Sequence, residues 1–240
     1  MRCLLMIGAL FFLATRSALG AENLVENPSA EEAAASGAPK GWGRYVGAGG
    51  VRLAQATDEQ HSGESAACLE LNRWYTPPDK QDSPENRSAS GALILAENDG
   101  YRAGGALPCV AGARYAFSFW YKGTIPSAKV IATGWPSQDA GSEERITIPV
   151  RAAALRPGDQ WQQSAGSLRI PAGVARFVVL ILASGHESKG FRLGRLCVDD
   201  ARLEAKQFPD GQLRGVWWGF VKAEEADAGR REIDESLDKL

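Results

Sequence analysis

The chain has 240 residues, of which 27 are basic and 29 acidic, for a formal net charge of −2. No basic patch interrupts that balance, which makes nucleic acid and anionic membrane surfaces poor partners. At 44% hydrophobic residues the chain can bury one large β-domain or two small ones.

The first twenty residues read as a removable leader. Met1-Arg2 supplies a basic start, "CLLMIGALFFLA" is an apolar run of twelve, and Ala18 and Gly20 place small residues before a cut ahead of Ala21. The run is too short to span a bilayer, and no later segment approaches 18 apolar residues. No Cys stands at the cut to carry a lipid. These features predict a signal peptide at 1–20 and a secreted protein, extracellular or periplasmic, made of a domain at 21–206 and a tail at 207–240.

From there the sequence is strand-like. "SAACLELN" is a first candidate. "RYAFSFWYKG" alternates strictly, with Tyr115, Phe117, Phe119 and Tyr121 on one face and Ala116, Ser118, Trp120 and Lys122 on the other. "AKVIATGW", "RITIPV" and "GSLRIPA" follow, and "ARFVVLILAS" is an unbroken apolar run suited to a strand covered on both faces. "GFRLGRLCVDDARLEA" closes the series. Gly and Pro punctuate these segments ("SGAPKGWG", "RPGDQW"), and "NRWYTPPDKQDSPENRSAS" reads as a long polar loop. Many short strands with little helical periodicity predict an all-β, antiparallel sandwich. The tail holds an apolar knot at 216–221 inside "GVWWGFV", where Trp217 and Trp218 would cover a sandwich edge or dock a protein partner. A charged segment follows it, with Ile233, Leu237 and Leu240 at helical spacing.

Beyond the leader lie Cys68, Cys109 and Cys197, an odd number for an oxidising compartment. At most one disulfide forms, its pairing open; all three sit in apolar, strand-like surroundings and read first as buried small hydrophobes. With no C-x-x-C pair, and only His61 and His186 to assist, a zinc site is disfavoured. "NRS" at Asn86 is a sequon only in a host that glycosylates.

Five stretches resemble, in order, carbohydrate-binding modules of the galactose-binding-like jelly-roll superfamily: "NLVENPSAEE" with the following "GW", "HSGESAACLEL", "VAGARYAFSFWYKG", "DQWQQSAGSLRIP" and "RLCVDDARLEA". They run from about Asn23 to Ala205. The chain departs from the pattern at Ala30, where the family usually has a bulky aromatic. The resemblance implies a jelly-roll sandwich whose first and last strands meet near a structural calcium ion, with Glu31 and Asp199 as ligands. Strand alternation places Cys197, Asp199, Ala201 and Leu203 on one face, so Asp199 is expected to point into the core and Asp200 toward solvent. An inward carboxylate needs compensation, from a cation or from backbone N–H groups or Arg195 or Arg202.

The resemblance further implies binding of a polysaccharide or oligosaccharide on the concave face or at loop tips. Sugar recognition needs two or three aromatic faces on one surface. Trp120, on the face opposite the Tyr115/Phe117/Phe119 row, is the concave-face candidate, and Trp74 and Tyr75 are loop-tip candidates, with one of the pair facing a ligand. Trp135 and Tyr101 come next, and Arg73, Asp79 and Glu97 could add polar contacts. Trp42 and Trp161 match structural positions and are read as packing. No catalytic set assembles: there is no G-x-S-x-G, both histidines sit in loop-like contexts, and the dense carboxylate strand motif of jelly-roll glycosidases is absent. The sequence therefore predicts a non-catalytic carbohydrate-binding module, with an interaction sandwich lacking a sugar face as the alternative and a polysaccharide-degrading enzyme behind both.

Overall fold

The computed structural model describes residues 22–96 and 101–207; the leader, Glu97 and the tail with its 216–221 segment lie outside the described residues. Twelve strands are formed there: β1 (Gly43–Ala48), β2 (Gly50–Ala56), β3 (Ala66–Arg73), β4 (Ser88–Ile94), β5 (Leu107–Pro108) and β6 (Arg114–Gly123), then β7 (Lys129–Trp135), β8 (Ile146–Ile148), β9 (Val150–Arg151), β10 (Gln162–Arg169), β11 (Arg176–His186) and β12 (Gly194–Gln207). Three 3-10 turns are the only helical elements among the described residues.

The strands make two antiparallel sheets. The first has the order β1-β4-β11-β7-β8, with β5 added beside β11, and the second the order β2-β3-β12-β6-β10-β9. Successive strands repeatedly change sheet, which is the winding of a jelly-roll sandwich. Pro149 lies between β8 and β9, where the chain leaves one sheet for the other; lacking an N–H, proline suits a break in the ladder.

Side-chain period decides the layers. The Tyr115, Phe117, Phe119 and Tyr121 row of β6 is buried between the sheets against Phe177, Val179 and Ile181 of β11. The other face of β11 is also covered: Val178 and Leu180 join Ala92, Ile94 and Trp135 in a second apolar cluster on the outside of the first sheet. β1, β2, β4 and β5 were not expected. Small residues dominate β4, and Gly91 shows why: a Cβ there would lie 2.7 Å from Val51 Cγ1 and 3.0 Å from Leu71 Cδ2, so the sheets approach too closely for a side chain. The polar loop therefore ends before Ser88, pinned by Arg87 between Asp82 and Glu187.

The start of the described domain is tied to its last strand through Asn23. Its Nδ2 donates to the Ala201 carbonyl, and its Oδ1 accepts from the N–H groups of Val25 and Leu203. The reading of all three cysteines as simple hydrophobes is corrected. Cys68 and Cys197 are direct cross-strand partners on β3 and β12 and form a disulfide. Cys109 is a free, half-buried thiol. Trp161 packs beside the disulfide and Trp42 is buried with its Nε1 donating to the Asn27 carbonyl, so both pack as expected.

Candidate functional site

The Asp199-Asp200 pair departs from simple alternation. Pairing of β12 with β6 shifts register between Asp199 and Arg202, and Asp200 takes a left-handed φ of 49°. This is a bulge, and Asp is among the few residues that enter that region readily. Its effect is that Leu196, Val198, Ala201 and Leu203 all reach the sandwich core. Asp199 instead shares the opposite face with Cys197 and pairs across the strands with Trp120. The expectation that Asp199 points into the core is thereby corrected.

Asp199 is nonetheless fully buried, at 0% exposure, because the segment around His61 and Ser62 folds over it. Oδ2 accepts from the backbone N–H of His61 (2.8 Å) and Ser62 (3.0 Å), and Oδ1 from that of Asp200 (2.7 Å). Burial pushes the Asp199 carboxyl above its ordinary range, opposed by those three donors. Asp200 is half-exposed rather than free in solvent. It accepts from Ser29 Oγ, Ser62 Oγ and His61 Nδ1. Burial, which would raise the Asp200 carboxyl, is outweighed by these bonds, and its pKa lies below the ordinary value. An ionised Asp200 can only accept, which assigns the His61 proton to Nδ1. Both serine hydroxyls donate to Asp200 and not to the His61 ring, so the cluster is no nucleophile–base pair.

Glu31 approaches the same loop from the other side. Its Oε1 accepts from the Glu64 N–H and its Oε2 from Ser65 Oγ. Gly63, at φ +64°, lies beneath it, where a Cβ would come within 1.9 Å of Glu31 Oε1. Calcium needs six to eight oxygens. Around Asp199 and Glu31 the neighbours are N–H and O–H donors, whose positive ends repel a cation, and no group of three or more His, Cys, Asp or Glu that could hold a metal occurs among the described residues. In this structure the Asp199 carboxylate is compensated by the three backbone N–H groups.

The aromatic candidates fall into three places. Trp120 is half-buried under His61, whose ring stacks on it at 3.9 Å and 14°. Trp74 is half-buried edge-on against Phe191 at 6.3 Å, leaving Tyr75, 42% exposed, as the member of that pair facing solvent. Trp120, Trp74 and Trp135 therefore do not meet on one exposed groove. Arg73 and Asp79 are exposed.

Tyr101 and Trp135 do come together, on the outside of the first sheet, and Tyr45 of β1 joins them. They line a cleft of about 620 Å³. Tyr45 and Tyr101 lie 5.2 Å apart with planes at 57°, and Tyr101 stands edge-on to Trp135 at 5.5 Å. Trp135 is only 1% exposed, so it forms the floor on which Tyr101 rests. The Tyr101 hydroxyl bonds Thr133 Oγ1, and the Arg145 guanidinium lies 5.0 Å over the Tyr101 ring. Arg176 ties the two rims together, donating to the Ala106 carbonyl (2.6 Å) and to Gln138 Oε1 (3.0 Å). Gln138, Asp139 and Arg145 put polar groups at the mouth of an aromatic hollow.

Sequence reasoning missed Tyr45 and Arg145. Tyr45 stands in a glycine-rich strand that shows no clear alternation, and Arg145 follows a short 3-10 turn at Ser142–Glu144.

No family model matches the chain, and no curated protein does. Among solved structures it is similar to the enzymatically active domain of bacteriophage CBA120 tailspike protein 4, at 12% identity over 77% of this chain and 21% of that one, with a TM-score of 0.48. It is similar also to TmCBM61 in complex with β-1,4-galactotriose, at 17% identity over 77% and 99% of the two chains and a TM-score of 0.42. A third is the CBM22-1 xylan-binding domain from Paenibacillus barcinonensis Xyn10C, at 13% identity over 75% and 93%, with a TM-score of 0.44. The structures found are mainly carbohydrate-binding modules. The likeness concerns the fold alone.

Proposed function

We propose that this chain is a secreted, non-catalytic carbohydrate-binding module whose glycan site is the cleft of Tyr45, Tyr101 and Trp135. One observation carries the reading: two half-exposed tyrosines, held at a fixed angle over a buried tryptophan, converge with Arg145, Gln138 and Asp139 at one opening. A pyranose has apolar C–H faces and a rim of hydroxyls. Laid against Tyr45 and Tyr101, it would present those hydroxyls to the guanidinium, amide and carboxylate at the rim. The Arg176 bridge keeps the rims in place before ligand arrives, which limits the ordering cost of binding. The site has polar groups for recognition and no nucleophile–base pair or activated carboxylate among the contacts described for it.

The test is thermal unfolding and calorimetry against neutral polysaccharides, including β-1,4-galactan and xylan because two of the similar structures are named with such ligands. Aromatic contacts are worth roughly 0.5–1.5 kcal/mol each. Tyr101→Ala or Tyr45→Ala should therefore weaken the bound glycan by about 2–13-fold, and Trp120→Ala should not. A glycan bound equally by both tyrosine variants would remove the cleft from the reading. The scatter of Trp120, Trp74 and Trp135 favours a second reading, an interaction sandwich without a sugar face. Failure of every glycan to bind would select it.

A further inference from the structure

On the second sheet, three arginines gather at one edge. Arg114 of β6 and Arg169 of β10 are direct cross-strand partners, and Arg151 of β9 stands opposite Ser167 of β10. Ser167 and Arg169 are two residues apart on one strand, so they and the three arginines project from the same face. Leu168 between them points the other way and is buried at 3% exposure. All three arginines are exposed and line a cleft of about 730 Å³, walled by Gly112 and Pro171.

The arrangement is costly for the fold. Like charges directly opposite on antiparallel strands destabilise the pair, and a chain of net charge −2 has carboxylates to spare. Other arginines use them: Arg87 lies between Asp82 and Glu187, and Arg195 pairs with Asp58. Among the described residues no carboxylate is ion-paired with Arg114, Arg151 or Arg169. Glu204, which β12 brings to this face opposite Ala116, is engaged by Lys206.

We propose that this cleft is a second ligand site, taking the carboxylate or sulfate groups of an acidic polysaccharide. Guanidinium is a planar fork of donors that meets a carboxylate or sulfate in pairs of hydrogen bonds. The cations are spread over three neighbouring strands, about 10 Å from first to last at the usual strand spacing. That spread suits charges repeated along a polymer better than one small anion. The Ser167 hydroxyl adds a partner for a sugar hydroxyl between them. That the anion is carried on a glycan rests on the function proposed above; anion binding as such rests on the arginines.

The experiment is calorimetry on the full chain with two matched pairs of polymers: polygalacturonate and its fully methyl-esterified form, and dextran sulfate and plain dextran. At low salt at least one charged polymer should bind and its neutral twin should not. Affinity should fall as the ionic strength rises toward 0.1 M and beyond, where the screening length shortens to about 10 Å. The double variant Arg114→Gln/Arg169→Gln should lose at least about tenfold in affinity while its Tm stays level or rises. Arg52→Gln, which removes an exposed cation on β2 at the opposite edge of the same sheet, should leave that affinity within twofold. Binding of neither charged polymer, equal binding of the neutral twin, or full affinity in the arginine variant would each overturn the proposal. Loss of neutral-glycan binding in the tyrosine variants, with the arginine variant unaffected toward every polymer, leaves the first cleft standing and removes this one. Arginine-dependent binding without any neutral ligand does the reverse.

Discussion

Replacing Asp199 by alanine isolates what holds the bulge of β12. The substitution leaves three N–H groups, of His61, Ser62 and Asp200, which make part-buried hydrogen bonds, without the carboxylate they share. Each unpaired buried donor costs about 1–3 kcal/mol. Two effects reduce the sum: the His61–Ser62 segment can lift toward water, and a buried charge no longer has to be desolvated. A net loss of about 2–4 kcal/mol follows, or roughly 4–16 °C in Tm at about 2–4 °C per kcal/mol for a domain of this size. Asp199→Asn keeps one carbonyl acceptor but turns an amide toward N–H donors, and should fall between. Unfolding is followed by near-ultraviolet circular dichroism, with tryptophan fluorescence reporting the His61–Trp120 stack, in calcium and in chelator. The wild type should melt at the same temperature in both. A wild-type Tm that falls on chelation by as much as Asp199→Ala lowers it would show that a cation compensates Asp199 and that the backbone donors do not suffice. An unchanged Tm in Asp199→Ala would refute the hydrogen-bond account altogether.

Four further outcomes can be checked alongside it. Gly63→Ala places a methyl within 1.9 Å of Glu31 Oε1 at a φ of +64° and should cost more than Gly173→Ala, which at a φ of +78° carries the same backbone strain of about 1–3 kcal/mol but meets nothing within 4 Å; equal losses at both would leave only the backbone term. Asp200 is held below its ordinary value of 3.8, so the native state binds fewer protons than the unfolded chain just below that pH, and the stability Asp200 contributes above pH 3.8 disappears as pH falls through its folded value. Asp200→Asn should flatten that acid limb, and an unaltered limb would contradict the assignment. Removing the Cys68–Cys197 disulfide, which spans 129 residues of sequence, should cost about 2–4 kcal/mol, while peptide mapping after native alkylation should leave Cys109 untouched, its thiol being pushed by burial up to about 12. Trp120→Ala should lower Tm by about 4–12 °C through loss of the His61 stack and its packing without altering glycan affinity; the opposite outcome would return Trp120 to the binding site.

How far the residues announce this structure depends on the kind of signal each segment carries. β6, β7, β11 and β12 are legible because alternation or β-branched runs have one physical solution, a strand against a core. β1, β2 and β4 are not, since "GRYVGA", "GVRLAQA" and "SASGALI" are rich in small residues whose placement is decided by the opposite sheet. Gly91 is there because Val51 and Leu71 leave no room for a Cβ. Missing β1 meant missing Tyr45, which lies 56 residues from Tyr101 in sequence and meets it only through the order β1-β4-β11-β7. The error at Asp199 has a different origin. Alternation presumes an unbroken ladder, and the Asp-Asp step was itself the available hint, because aspartate tolerates the left-handed backbone that a bulge demands.

The two outer faces of the sandwich are finished in opposite ways, and that difference organises the functional reading. On the second sheet, the face around β12 and β6 is closed by the His61–Ser65 segment: Asp199 and Glu31 accept from its backbone, Asp200 accepts from its His61 and Ser62 side chains, His61 lies on Trp120, and the disulfide sits beside Trp161. The Trp120 ring there is covered by the stacked His61 ring. On the first sheet, an apolar cluster is covered only in part, and the covering residue Tyr101 leaves its ring at the wall of a cleft. A face whose polar groups satisfy one another contributes stability. A face that leaves Tyr45, Asp139 and Arg145 at an opening, on a framework braced by Arg176, is where a ligand can supply the missing contacts. The arginine edge stands apart from both. There the second sheet continues beyond the closed region, and its three charges oppose one another until an anion arrives from outside.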